Sequence, residues 1–181
     1  DKSGSMAGEK VERAREAAIQ AIRRLTSRDI VSVVLYDSNV QVLVPATKAR
    51  DVDRIIEKIR SIQAGGSTAL HGGVAQGAEE VRKFVENGLV NRIVLLSDGL
   101  ANVGPQSPEQ LGQLGSELGG EGISVTTIGL GLGYNEDLMS KLAFRSDGRH
   151  YFVEKATQLA QVFDKEFGNA MAVVAQEARV Q

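Results

Sequence analysis

Cysteine is absent from the 181 residues of this chain. That removes disulfides, thiolate metal centres and cysteine nucleophiles together, while leaving the redox compartment open, because a cysteine-free chain is stable in either environment. Long apolar runs are also lacking. None approaches the ~20 residues that a membrane-spanning helix needs. No signal peptide opens the chain, as a mature or trimmed protein would equally show, so localisation is left open. Charge of one sign is missing too: 21 basic residues face 23 acidic ones for a net charge of −2. No basic run exceeds Arg23-Arg24, so the electrostatic footprint of a nucleic-acid binder is not there. Neither a Walker A loop nor a Gly-x-Ser-x-Gly elbow occurs. No second carboxylate stands close to Asp1 to form a hydrolytic pair.

What remains is ordinary globular composition, 42% hydrophobic against 24% charged, enough for one domain with a sizeable core. Val11, Ala14, Ala18, Ala21, Ile22 and Leu25 recur at three- and four-residue spacing and predict an amphipathic helix over residues 7–25. The β-branched run 30–36, a turn at Asp37-Ser38-Asn39 and a second run 40–44 predict a hairpin whose edge strand Pro45 stops. Val52, Ile55, Ile56 and Ile59 predict a helix capped by Asp51. After the loop Ala64-Gly65-Gly66-Ser67-Thr68, Leu70, Val74, Ala78, Val81 and Val85 mark the next helix. On its neighbouring face Gly73 and Gly77 leave room for another backbone.

Residues 92–97 read as a buried strand whose Ile93-Val94-Leu95-Leu96 core has no polar alternation, as expected when both faces are covered, and deliver Asp98-Gly99 at its carboxyl end. Ser107-Pro108-Glu109-Gln110 reads as a capping box opening a helix that Gly119-Gly120 ends. Then follow a strand 123–130, a helix capped by Asn135, a short strand 150–153, and a helix from about Thr157 with Leu159, Val162, Phe163 and Phe167 inward. The alternation specifies an α/β fold, a Rossmann-like open, mostly parallel sheet with one antiparallel edge strand and helices on both faces. Ligands of such sheets bind outside the carboxyl ends of the strands.

Three short stretches fall at that edge: Asp1-Lys2-Ser3-Gly4-Ser5, the Thr68 loop, and Ser97-Asp98-Gly99. Alternating Asp1, Ser3 and Ser5 can turn their oxygens to one point, and oxygen donors suit a hard cation such as Mg2+. Each stretch also has a plainer reading. Ser3 and Ser5 can cap a helix, Thr68 can close a loop and Asp98 a strand-end turn. Gly129-x-Gly131-x-Gly133 lacks the dinucleotide spacing and reads as a close-packed turn. His71 could face the site, but its place in a first helical turn suits a surface histidine, and His150 at a strand start reads as structural.

Taken together in order, these stretches resemble the von Willebrand factor type A domain. Asp1, Ser3, Ser5, Thr68 and Asp98 match the five positions of that family's metal-ion-dependent adhesion site, and Ile128-Gly129-Leu130-Gly131 followed by Asn135 is similar to bacterial members. The resemblance covers residues 1–168, leaving 169–181 as a C-terminal extension of the last helix or a departing strand. It implies a non-enzymatic protein-binding module for adhesion or assembly. In that module Mg2+, or Mn2+ or Ca2+, held by Asp1, Ser3, Ser5, Thr68 and Asp98, is completed by a Glu or Asp of a protein partner. It further implies that Thr68 and the helix after it report ligation to the C-terminal helix. Loops 100–106 and 132–135 offer no aromatic anchor except Tyr134, so modest affinity is expected.

Two other classes stand beside this one. A Mg2+-dependent phosphoryl-transfer enzyme can also use a strand-end Asp and a helix N-terminus, but haloacid-dehalogenase-like phosphatases need an Asp where Ser3 stands. A metal-free assembly scaffold is the third. The family leads a hydrophobic central strand into the residue corresponding to Asp1, whereas here the sequence starts at that Asp. The expectation is therefore a fragment lacking its first central strand, with an ammonium beside the cation site. Its sheet should have a gap beside the 92–97 strand or borrow residues 172–181 to fill it.

Overall fold

In the computed structural model, which describes residues 1–85 and 89–171, strands and helices alternate as the sequence predicts. A short 3-10 turn, Gly4–Met6, leads into α1 (Glu9–Arg23). The antiparallel hairpin β1 (Ile30–Tyr36) and β2 (Val40–Lys48) follows. Then come α2 (Val52–Arg60), α3 (Leu70–Arg82), β3 (Asn91–Ser97), α4 (Pro108–Gly120), β4 (Ile123–Leu130), α5 (Glu136–Arg145), β5 (His150–Val153) and α6 (Leu159–Met171). Strands β3, β4 and β5 are parallel, in that order.

The punctuation foreseen for the helices acts locally. Asp51 accepts from the Arg54 amide and Asn135 from the Leu138 amide, while Ser107 and Gln110 close a reciprocal capping box. Each bond satisfies an amide that the first helical turn leaves without a partner. Capping by Ser3 or Ser5 is not seen. The residue before α1 is Gly8 at φ 76°, and no side chain bonds that end of the helix.

Three expectations need correction. Strand β2 does not stop at Pro45 but runs to Lys48. The ladder slips between the pairs Val33–Val44 and Val31–Thr47, so the exposed Pro45 sits at an irregularity of an edge strand, where its missing N–H costs nothing. Gly73 and Gly77 make way for side chains rather than backbone: a Cβ on Gly73 would lie 2.6 Å from the Tyr36 ring, and one on Gly77 3.7 Å from Ile93. The last helix begins with a 3-10 turn, Ala156–Gln158, and α6 proper starts at Leu159.

Among the described residues no ladder joins β1 to β3, so the sheet consists of a two-stranded and a three-stranded section. The gap falls beside β3, where the sequence places it; residues 172–181, considered above as a filling strand, lie outside the described residues. The sections meet at their carboxyl ends. Leu35, Tyr36, Leu95 and Leu96 are buried, whereas Val33, Val34, Ile93 and Val94 are only half-buried.

Helices cover both faces. On one, α3, α4 and α5 bury Leu70, Val74, Leu111, Leu118, Leu138 and Leu142 against Leu95 and Val125. On the other, α1 and α6 bury Val11, Ala17, Leu159 and Phe163 against Leu96, Ile128 and Leu130. Met6, wholly buried in this second cluster, pins the opening loop across the sheet edge, and burying such a side chain contributes about 1.5–3 kcal/mol. No helix among the described residues is long and apolar enough to cross a membrane.

Candidate metal centre

Backbone hydrogen bonds build the site before any side chain is considered. The Lys2 amide donates to the Tyr36 carbonyl at 2.9 Å, the Gly65 amide to the Lys2 carbonyl at 2.7 Å, and the Gly4 amide to the Gly66 carbonyl at 2.9 Å. The opening segment is thereby laced between the end of β1 and the loop before α3. Gly66 is required there. Its φ is +79°, and a Cβ would stand 3.0 Å from Asp37 and Ser38. The Lys2 ammonium pairs with Asp37. That hydrogen bond, with one from the Asn39 amide, holds the Asp37 carboxyl below the usual carboxylate range.

On this frame four of the five residues expected at the site form one chain of hydrogen bonds. Asp1 Oδ1 accepts from the Ser3 amide at 2.7 Å, and Oδ2 accepts from Ser97 Oγ at 2.9 Å. Ser3 Oγ and Ser5 Oγ are 3.0 Å apart, and Ser5 Oγ donates to Asp98 Oδ1 at 2.6 Å. Thr68, the fifth, makes no hydrogen bond to the other four among the described residues but borders them. A Cβ on Gly99 would lie 3.4 Å from Ser5 Oγ and 3.9 Å from Thr68 Oγ1, so both hydroxyls face the space above Gly99. Thr68 is fixed through its backbone: its amide donates to Asn102 Oδ1 at 2.7 Å, and the Asn102 amide donates to the Thr68 carbonyl at 3.1 Å.

Ser3, Thr68, Ser97 and Asp98 are buried, whereas Ser5 and Leu100 are exposed, so the cluster opens to solvent on one side. The donors are two carboxylates and three hydroxyls, a set that fits a hard divalent cation. The described residues contain no group of three or more His, Cys, Asp or Glu that could hold a metal, so the hydroxyls would have to supply ligands. Asp98 is buried, and a desolvated carboxylate needs positive charge beside it, a need that either an ammonium or a metal can meet.

Several supporting residues escape sequence reasoning. Ser97 precedes Asp98 and turns back to Asp1; Asn102 clasps Thr68; Lys10, in the first turn of α1, reaches Asp98 Oδ2. Periodicity marks none of them, since each acts through one or two polar atoms and not through a repeating apolar face. The 131–134 loop also braces the site: a Cβ on Gly133 would meet the Asp98 carbonyl at 3.1 Å. The Tyr134 ring covers Gly129, and its hydroxyl is 3.1 Å from His150 Nε2, whose Nδ1 is 2.9 Å from Thr127 Oγ1. His150 is therefore structural, and burial lowers its pKa. His71 is half-buried; burial lowers its pKa while Glu117 of α4 opposes the shift.

The pattern of the von Willebrand factor type A domain family matches residues 1–165. A relative from Synechocystis, the uncharacterized protein sll0103, is 29% identical over 167 residues, covering 92% of this chain and 39% of its own length. This chain thus spans well under half of that relative. A von Willebrand factor type A structure from Catenulispora acidiphila superposes with a TM-score of 0.84 at 22% identity, over 94% of this chain and 41% of the other. Proximal thread matrix protein 1 from the mussel byssus, solved with a zinc-occupied MIDAS motif, superposes with a TM-score of 0.76 at 17% identity, over 92% and 45%.

Proposed function

The chain belongs to the von Willebrand factor type A domain family, and on that premise we propose that it is a divalent-cation-dependent protein-binding module. The family generally mediates protein–protein interaction and often does so through a metal. Asp1, Ser3, Ser5, Thr68 and Asp98 would hold the cation, and Mg2+ suits their oxygen set, with Mn2+ or Ca2+ as alternatives. The observation carrying this reading is the hydrogen-bonded run from Ser3 through Ser5 to buried Asp98, with Thr68 across Gly99.

The chemistry supplied by a bound cation is attraction for an anionic ligand, and a Glu or Asp side chain of a partner protein is the natural one. The chain's own part is to limit how far that charge is quenched. Three of the five donors are neutral hydroxyls, and both oxygens of Asp1 are already engaged by the Ser3 amide and the Ser97 hydroxyl. The same engagement leaves Asp1 poorly placed as a phosphoryl nucleophile and supports a binding role over a catalytic one.

A pull-down of partner proteins in Mg2+ against chelator, with wild type beside Asp98→Ala, tests the proposal. Capture that needs both Mg2+ and Asp98 is expected. Capture indifferent to both would refute cation-mediated recognition. Turnover of a phosphate ester that Asp1→Asn abolishes would replace binding with catalysis.

A further inference from the structure

The carboxylate of Asp98 has both oxygens committed within the chain: Oδ1 to Ser5 Oγ and Oδ2 to the Lys10 ammonium. The two ends of the ion pair differ sharply in environment. The Asp98 side chain is 0% exposed, whereas that of Lys10 is 39% exposed. A carboxylate so enclosed requires a positive partner. The site's second carboxylate, on Asp1, is met by the neutral donors Ser3 N–H and Ser97 O–H. Lys2, the other lysine near this edge, is turned to Asp37. Lys10 is therefore the side chain that supplies positive charge to Asp98.

We propose that Lys10 is a tethered counter-ion that holds Asp98 when no divalent cation is bound and competes with the cation for it. This rests on the metal-site reading given above. The lysine head is a compact charge on a flexible four-carbon stem, and its partial exposure lets it leave toward water without disturbing α1. Asp98 cannot leave, being buried at the end of β3. The pair thus has one fixed and one movable member, and the movable one carries the charge that a cation would replace. Two consequences follow. The metal-free site keeps its shape, and the affinity for cation is lower than the five oxygen donors alone would give, so that loading needs a higher cation concentration.

Calorimetric titration with Mn2+ and thermal melting in chelator test this, on wild type, Lys10→Met and Lys10→Gln. Both substitutions keep much of the stem and remove the charge. Mn2+ should bind roughly tenfold more tightly to both variants, because one favourable charge contact with Asp98 no longer has to be broken. Both should melt at lower temperature in chelator and be rescued further by Mn2+ than wild type. Lys141→Met, on α5 and paired with the exposed Glu109, serves as the control for a general change of charge. Unchanged or weaker Mn2+ binding by the Lys10 variants overturns the competition, as does an equal gain in Lys141→Met. Failure of wild type and all variants to bind Mn2+ at millimolar concentration removes the metal site itself and the competition with it, an outcome distinct from binding of equal strength.

Discussion

The phenol of Tyr36, the last residue of β1, donates a 2.6 Å hydrogen bond to the carbonyl of Leu96 in β3. It joins the two sections of the sheet directly beneath the site, since Tyr36 O also receives the Lys2 amide and Asp98 lies two residues beyond Leu96. Burial pushes the phenol's pKa far up, with the Asp98 charge adding to the effect, so the group stays a donor through the physiological range. Tyr36→Phe should cost about 1–2 kcal/mol, the loss of one hydrogen bond with its acceptor left buried. Urea unfolding measures this. An unchanged midpoint would show that the sections are held by packing alone.

Gly129→Ala should be worse than its size suggests. Its Cβ would enter the Tyr134 ring at 2.1 Å, and moving that ring breaks the contact with His150 and shifts the loop that Gly133 sets against the Asp98 carbonyl. Overpacking of this kind costs about 1–3 kcal/mol. A lower melting temperature is expected, accompanied by weaker Mn2+ binding in titration. Loss of stability with unchanged Mn2+ affinity would disconnect the Tyr134 loop from the site.

Asn102→Ala is the milder counterpart. It removes the acceptor for the Thr68 amide while leaving every expected ligand in place. Stability should fall by about 1 kcal/mol. If Thr68 acts as a ligand, Mn2+ affinity should fall several-fold, because its hydroxyl depends on a fixed backbone. Titration of Asn102→Ala beside Thr68→Ala separates positioning from ligation, and equal affinity in wild type and Asn102→Ala would deny the clasp a role in binding.

How much of this could be read beforehand depended on how each feature is encoded. Helices and strands set by repeating apolar positions were legible, as were caps set by a single polar residue at a fixed offset, such as Asp51, Ser107 and Asn135. The five candidate site residues stood out only through their joint order and spacing, which resemble the family's motif, and the structure joins four of them, Asp1, Ser3, Ser5 and Asp98, by hydrogen bonds. Pro45 misled because its cost depends on whether its strand lies at an edge, a tertiary fact. Gly73 announced a close approach without revealing that an aromatic ring would make it. Lys10 carried no signal, and Ser97 stood only as part of the Ser97-Asp98-Gly99 stretch with no role of its own, since a lysine on an amphipathic helix and a serine ending a strand have commoner uses.

Glu166, on α6, shows what such silent residues can do. Its side chain is 1% exposed yet gathers Tyr151 Oη at 2.6 Å, Thr126 Oγ1 at 2.7 Å, Arg92 Nη1 at 3.1 Å and Arg149 Nη1 at 3.5 Å. Burial works to raise its pKa, but the hydrogen bonds from Tyr151 and Thr126 and the charges of Arg92 and Arg149 outweigh it and hold the pKa below the ordinary glutamate value. A carboxyl whose pKa is depressed on folding adds stability that is fully present above its unfolded value. That contribution is lost as pH falls from there through the folded value. Wild type should therefore lose stability on acidification below about pH 4.3, and part of that loss should vanish in Glu166→Gln. At neutral pH the variant should be less stable by about 3 kcal/mol, with the Arg92 charge left short of its partner. Because three of the four donors come from β3, β4 and β5 and the fourth, Arg149, directly precedes β5, the loss should loosen α6 from the sheet, and amide exchange in α6 should rise more than in α4 or α5. Equal pH profiles for the two proteins would rule out the carboxylate as the tie between α6 and the strands.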